Sequence, residues 1–346
     1  MTDIREFSTG WGGDQVTWSN RTREELTGTA RGSLHIPMFR PFDMLTEPNQ
    51  RLQILANEEN RVGVESVVGV AEYFHRNADF DEVLFQWSGR TTVETEFGVF
   101  EMRPADLMLI PSGVAHRSIG AENSLRLYAH VQEPLDALIT EDDLIGHTEY
   151  EVTRHGAPEW TAPVGQEMSK DGKVEERILT WNDEPDDLTV IERTYATLVN
   201  ASTEGRGVNK VRLFDVFDRV TGKKGPGPVI FKNDKFLIEC YNTDGAQLAF
   251  HRGNRNDEFQ LQFQGTADNI SEFGADVMKP GDLTIVPRGI AHNVIGSPTF
   301  RRIVLYSKPQ WKVTVDPKKH ACESTFEVVE TVIERAAWRD DIMAAE

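Results

Sequence analysis

Residues 251–296 read HRGNRNDEFQLQFQGTADNISEFGADVMKPGDLTIVPRGIAHNVIG, and residues 75–120 read HRNADFDEVLFQWSGRTTVETEFGVFEMRPADLMLIPSGVAHRSIG. The two stretches align without a gap at an offset of 176 residues, with 19 of 46 positions identical. The identities include His75/His251, Glu82/Glu258 and His116/His292, the residue types in these stretches that ligate metals. The chain therefore reads as a duplicated domain with a candidate metal set in each copy.

Working outward, both copies carry short runs rich in Val, Ile, Phe, Leu and Thr, broken by Gly, Pro, Asn and Asp. Such runs mark strands. They fall at 83–87, 91–94, 107–110 and 125–131 in the first copy, and at 236–241, 259–263, 283–286 and 302–307 in the second. This spacing favours an all-β barrel or sandwich over a parallel α/β sheet. The expected layout is an N-terminal arm and first barrel over 1–150, an acidic connection over 151–200 that is loop-like in places, and a second barrel over 201–323. Over 324–346 the apolar residues Phe326, Val329, Val332, Ile333 and Ala336 trace one face of an amphipathic C-terminal helix.

Composition narrows the function. Net charge is −19, from 56 acids against 37 bases, which disfavours nucleic acid and anionic membrane surfaces as partners. No stretch approaches the ~20 apolar residues of a membrane span. Only two cysteines occur, Cys240 and Cys322, too few for a disulfide framework. With a polar N-terminus lacking a signal-peptide core, a cytoplasmic location is expected.

The spacing in the second copy carries chemistry. Residues two apart on a strand share a face, so His251 and Gly253 point one way. A turn over 254–257 reverses the chain, and Glu258 opens the next strand toward the same interior. The Pro–x–Gly turn of PGDLTIVPRGIAH then delivers His292. Two imidazoles and one carboxylate form a facial triad with open positions, the set typical of non-haem Fe(II) oxygenases, and Mn(II) shares those ligands. The absence of thiolates argues against structural zinc.

These residues match the two cupin motifs, G-x5-H-x-H-x(3,4)-E-x6-G and G-x5-P-x-G-x2-H-x3-N. The second copy supplies Gly245, His251, Glu258 and Gly265, then Gly281, Pro287, Gly289 and His292. The first supplies His75, Glu82 and Gly89, then Pro111, Gly113 and His116, with Ala105 in place of a Gly. Both depart at the second His, which is Asn77 or Gly253, and at the final Asn, which is Gly120 or Gly296. The chain resembles a bicupin, two tandem double-stranded β-helix barrels. The phrases HRNADFDE, TEFG and IPSGVAHR are similar to homogentisate 1,2-dioxygenase relatives, and the architecture resembles the large subunit of two-component hydroquinone 1,2-dioxygenases.

That resemblance implies Fe(II), O₂ and opening of a para-dihydroxylated ring. It implies a smaller cupin-related partner subunit, with a homo-oligomer as the alternative, and one working iron in the C-terminal barrel. It also implies that an Asn can stand in for a ligating His, for which Asn254 is the candidate. The expected metal set is then His292 and Glu258 with His251 or Asn254. The competing set is His75, Asn77, Glu82 and His116.

The pleat puts Gln260 and Gln262 on the face of Glu258. This more polar interior favours the second barrel, and Arg288 beside the motif is expected at the substrate pocket. A metal-dependent isomerase or decarboxylase, a homogentisate-type dioxygenase and a non-catalytic bicupin are the alternatives.

Overall fold

The computed structural model describes residues 4–9, 11, 16–21, 38–71, 73–96, 98–139, 153–155, 173–182, 189–194, 207–213, 225–242, 245–246, 250–271 and 274–315. The expected C-terminal helix lies outside them. Strands dominate the described residues, and every strand run expected in the two repeats lies within an observed strand. The chain divides into two compact units, Phe42–Val216 and Met1–Pro41 with Phe217–Glu346.

In the Phe42–Val216 unit the strands Asp106–Ile110, Asp81–Ser88, Ala115–Val131, Asn60–Val70 and Arg51–Ala56 pair antiparallel in that order. Ala115–Val131 serves both walls. Its first half pairs with Phe74–Asn77 and Thr91–Thr95, its second with Asp81–Ser88 and Asn60–Val70. The register against Asn60–Val70 shifts between Gly120 and Ser124, the kind of irregularity that bends a strand so that a sheet can curl. Leu84, Val93, Met102, Met108, Ile110, Val114 and Tyr128 form the enclosed core cluster with Phe100 and Val208.

The other unit repeats this plan. Phe236–Asn242, Arg301–Ser307, Asp257–Gln264 and Leu283–Val286 form one sheet. Phe250–Gly253, His292–Gly296, Ala267–Ser271 and Gly274–Met278 form the other. The 176-residue offset persists in the pairing: Arg126 faces Glu65 in one unit, and Arg302 faces Tyr241 in the other.

Two turns explain the repeated glycines. Gly89 and Gly265 have φ of 66° and 65°, and an added Cβ would meet backbone atoms of Ser124 or Phe300 at 2.8 Å. Gly281 has φ of 92°, and Ala105 at the matching position keeps the same left-handed conformation at 76°. The motif departure at Ala105 therefore preserves the turn and strains the residue.

The two compact units change over at Pro41/Phe42 and at Val216/Phe217. The stretch expected as the connection contains Thr153–His155, Lys173–Leu179 and Thr189–Thr194, all strands of the first unit. Lys173–Leu179 pairs parallel with the His75 strand, placing Arg177 opposite His75. The N-terminal arm makes the same move in the other unit, where Ile4–Thr9 pairs parallel with the His251 strand and Phe7 lies opposite His251.

Farther along, Val211 pairs with Leu107 and Phe39 with Leu283. The neighbouring Arg212 and Arg40 bind Asp106 and Asp282 at 3.1 and 2.7 Å. Residues 4–11, IREFSTGW, and 174–181, VEERILTW, thus play equivalent parts, and each ends in a buried Trp, Trp11 or Trp181. The arm that precedes each repeat completes the barrel of the other.

Candidate metal centre

His251 on Phe250–Gly253 pairs directly across from His292 on His292–Gly296, so their rings stack at a tilt with centroids 3.9 Å apart. Glu258, the second residue of Asp257–Gln264, completes the group. Its Oε2 lies 3.1 Å from His292 Nε2 and 4.0 Å from His251 Nε2. One ligand atom from each residue lies within 4.8 Å of the others, and all three residues are buried.

The backbone is built to hold this arrangement. Asp257, just before Glu258, accepts from the backbone N–H of Arg288 at 3.0 Å and of Trp311 at 2.9 Å. The N–H of Gly289 donates to Gly253 O at 2.7 Å, and the Arg252 guanidinium donates to Gly289 O. The Pro–x–Gly turn is thereby tied to the end of the His251 strand, which explains why the His-Arg and Asp-Glu pairs are repeated along with the metal candidates. The first unit shows the same ties: Gly113 N to Asn77 O at 2.6 Å, the Arg76 guanidinium to Gly113 O, and Ser112 N to Asp81 Oδ1 at 2.8 Å.

The donors suit a divalent cation. Burial, with the His292 ring beside it, pulls His251 down to about 3, so its imidazole is neutral, the ligating form. Burial alone would raise Glu258, but His292 and its hydrogen bond outweigh that and hold the carboxyl at about 2. His292 Nδ1 sits 3.2 Å from Ile290 O, an outer contact that orients the ring with Nε2 toward the centre.

In the first unit His75, Glu82 and His116 also come within 4.8 Å of one another. Here the carboxylate is already answered. Glu82 Oε2 contacts His116 Nε2 at 2.8 Å, Asn77 Nδ2 at 3.2 Å and His75 Nε2 at 3.6 Å, and Oε1 contacts His130 Nε2 at 3.4 Å and the Arg51 guanidinium at 3.5 Å. Glu65 pairs with Arg126 at 2.5 Å and with Arg51 at 3.7 Å. No arginine or lysine among the described residues lies within ion-pair distance of Glu258. The expectation that the second interior is the more polar one is corrected: both are polar, and they differ in whether a cation from the protein compensates the carboxylate.

A pocket opens on the second triad, lined by His251, Glu258, Gln260, Arg302, Tyr241 and Tyr306 with the apolar Val294, Phe300 and Val304. Gln260 Nε2 donates to Glu258 Oε2 at 3.1 Å, as its position in the pleat required. Gln262 is fully buried and accepts from Arg302 Nε at 3.3 Å.

Two candidates fall outside the group. Asn254 is exposed, because the strand ends at Gly253 and the next residue leaves the pleat. Arg288 bonds Asp257 Oδ1 at 3.0 Å and Lys308 O at 2.7 Å and does not line the pocket. Asn77, by contrast, sits at the first triad.

Sequence reasoning passed over four residues. Asn256 is 4% exposed, and its Nδ2 would lie 2.9 Å from a Cβ on Gly253, so its amide fills the room of the motif's second His. Arg302, Tyr306 and Glu239 come from strands outside the repeated stretch. The Tyr306 hydroxyl donates to Glu239 Oε1 and lies 3.3 Å from the Tyr241 hydroxyl. Burial pushes the Glu239 carboxyl up to about 7.

No protein-family model matches the sequence, and no curated protein matches it. Among solved structures the chain is similar to a cupin 2 conserved barrel domain protein from Leptotrichia buccalis. The identity is 9%, the TM-score 0.49, and the match covers 81% of this chain and 100% of that one. It is also similar to Bacillus subtilis oxalate decarboxylase OxdC, at 11% identity and a TM-score of 0.46, covering 87% of this chain and 88% of that one. A putative glyoxylate induced protein from Pseudomonas aeruginosa follows at 10% identity and 0.44, covering 83% and 93%. At these values nothing of those proteins' chemistry transfers to this chain. Among the described residues the class is nearly all-β, two units built on one repeated plan of paired sheets, each with a His–Glu–His triad whose ligand atoms lie close enough together to hold a divalent metal.

Proposed function

We propose that the chain is a metal-dependent cupin enzyme working in its second barrel, and that its reaction is the O₂-dependent opening of a para-dihydroxylated aromatic ring. The observation that carries the first part is the convergence of His251, Glu258 and His292 on one point, with a neutral His251 and no protein cation on the carboxylate. The finer part draws on the motif resemblance and on a pocket with both apolar and phenolic walls.

His251, Glu258 and His292 would hold the ion, Fe(II) in this reading and Mn(II) as the alternative. Bound there, Fe(II) supplies the O₂ chemistry of ring opening. The chain's own groups do the rest. Phe300, Val294 and Val304 give the ring an apolar wall. Tyr306 lines the pocket, and its hydroxyl is bonded to Glu239, which stands near half-protonation at neutral pH. That pair can take or return a proton at a substrate hydroxyl. The same reading includes a smaller cupin subunit as partner.

Anaerobic protein loaded with Fe(II), then given O₂ and a panel of para-diphenols, should consume O₂ together with substrate and form a ring-opened absorbance. Substrate consumption without O₂ uptake would point to isomerase or decarboxylase chemistry and end the dioxygenase reading. The purified single chain should be poorly active until a small cupin chain is co-expressed. Full activity alone would remove that partner.

A further inference from the structure

Each unit places an arginine at the same register position beside its triad. In the first, Arg126 lies across the sheet from Glu65 and its Nε donates to Glu65 Oε1 at 2.5 Å, a buried ion pair. In the second, Arg302 lies across from Tyr241. No carboxylate among the described residues pairs with Arg302, although it is only 2% exposed. Its NH1 donates to Gln260 Oε1 at 2.5 Å, its Nε to Gln262 Oε1 at 3.3 Å, and its NH2 lies 3.1 Å from Met278 Sδ. These neutral partners satisfy hydrogen bonds without compensating the charge, and they engage three of the five guanidinium N–H donors. A buried cation of this kind is costly unless an anion joins it.

Arg302 lines the triad pocket, and with a divalent ion on His251, Glu258 and His292 the pocket is net positive. Gln260 joins the two ends, accepting from Arg302 and donating to Glu258 Oε2 at 3.1 Å. We propose that Arg302 receives a carboxylate carried by the substrate, so that the substrate is an aromatic acid whose ring hydroxyls face the triad. A guanidinium that keeps donors beyond these three contacts fits a planar carboxylate better than a lone phenolate oxygen. The exchange of Glu65 for Tyr241 at one register position is what frees the second arginine for this work. The inference rests on the second-barrel pocket being the substrate site, and it is independent of whether the reaction uses O₂.

The experiment is anaerobic calorimetry of the metal-loaded full chain with two probes that differ only in the carboxylate, 2,5-dihydroxybenzoate and 1,4-dihydroxybenzene. The unsubstituted protein should bind the acid about tenfold or more tightly than the neutral diphenol. Arg302→Gln should erase that preference. Tyr241→Glu rebuilds the pair that already folds in the first barrel, so it should erase the preference with Arg302 still present. Equal binding of the two probes by the unsubstituted protein overturns the proposal, and so does a preference that survives in either variant with an unchanged thermal melt. Arg302-dependent acid binding with no O₂ uptake on turnover would leave this proposal standing and remove the ring-cleaving reaction.

Discussion

At the scale of single residues, the triad was legible and its surroundings were not. His251, Glu258 and His292 stand out because three ligating types recur at fixed spacing. Counting back from Glu258 selected Asn254, but the strand ends at Gly253, and it is Asn256, on the far side of the turn, that comes back into the barrel. Arg302 reaches the pocket, and Glu239 reaches Tyr306, through strand pairing across the sheet, which local spacing does not encode. Yet Arg126 and Arg302 share the 176-residue offset, so extending the alignment past Gly296 would have found the arginine.

Glu239 makes a prediction at this scale. Its folded pKa, about 7, lies above the ordinary 4.5. The folded state therefore holds a proton that the unfolded chain has lost between those values, and stability falls as pH rises through that window and levels off above it. Glu239→Gln keeps an acceptor for Tyr306 and removes the ionisation. Urea unfolding should show the variant gaining on the parent between pH 4.5 and 7, by at most about 3 kcal/mol. A difference that does not change with pH would contradict the buried-acid account.

At the scale of elements, strands inside the repeats were predictable because their apolar runs are bounded by turn residues. The arms were not. KVEERIL at 173–179 falls in the expected connecting segment, but it pairs parallel with the His75 strand, and Glu176 is fully buried against Arg76 at 2.6 Å. A buried ion pair between distant segments turns a polar sequence into a strand, and no local pattern signals it. The turn at Ala105 is a smaller case. An L-residue at φ of 76° carries a steric penalty that glycine relieves. Ala105→Gly should raise stability by about 1 kcal/mol in urea unfolding despite glycine's extra freedom in the unfolded chain. A loss of stability would mean that the turn tolerates Ala without strain.

At the scale of the whole molecule, duplication supplied two barrels with one plan, and divergence made their triads unequal. The sequence revealed the plan, while the inequality emerges only from what touches each carboxylate. Glu82 is held by His116, His75, Asn77, His130 and Arg51, so its negative charge is already spent inside the protein. Glu258 keeps its charge for a ligand.

The most direct test is the Fe(II) stoichiometry of anaerobically reconstituted chain beside its Glu258→Gln and Glu82→Gln variants. Binding at the second barrel predicts that Glu258→Gln loses the bound iron while Glu82→Gln retains it. Full iron content in Glu258→Gln, or its loss in a folded Glu82→Gln, would contradict the assignment and move the metal centre to the first barrel.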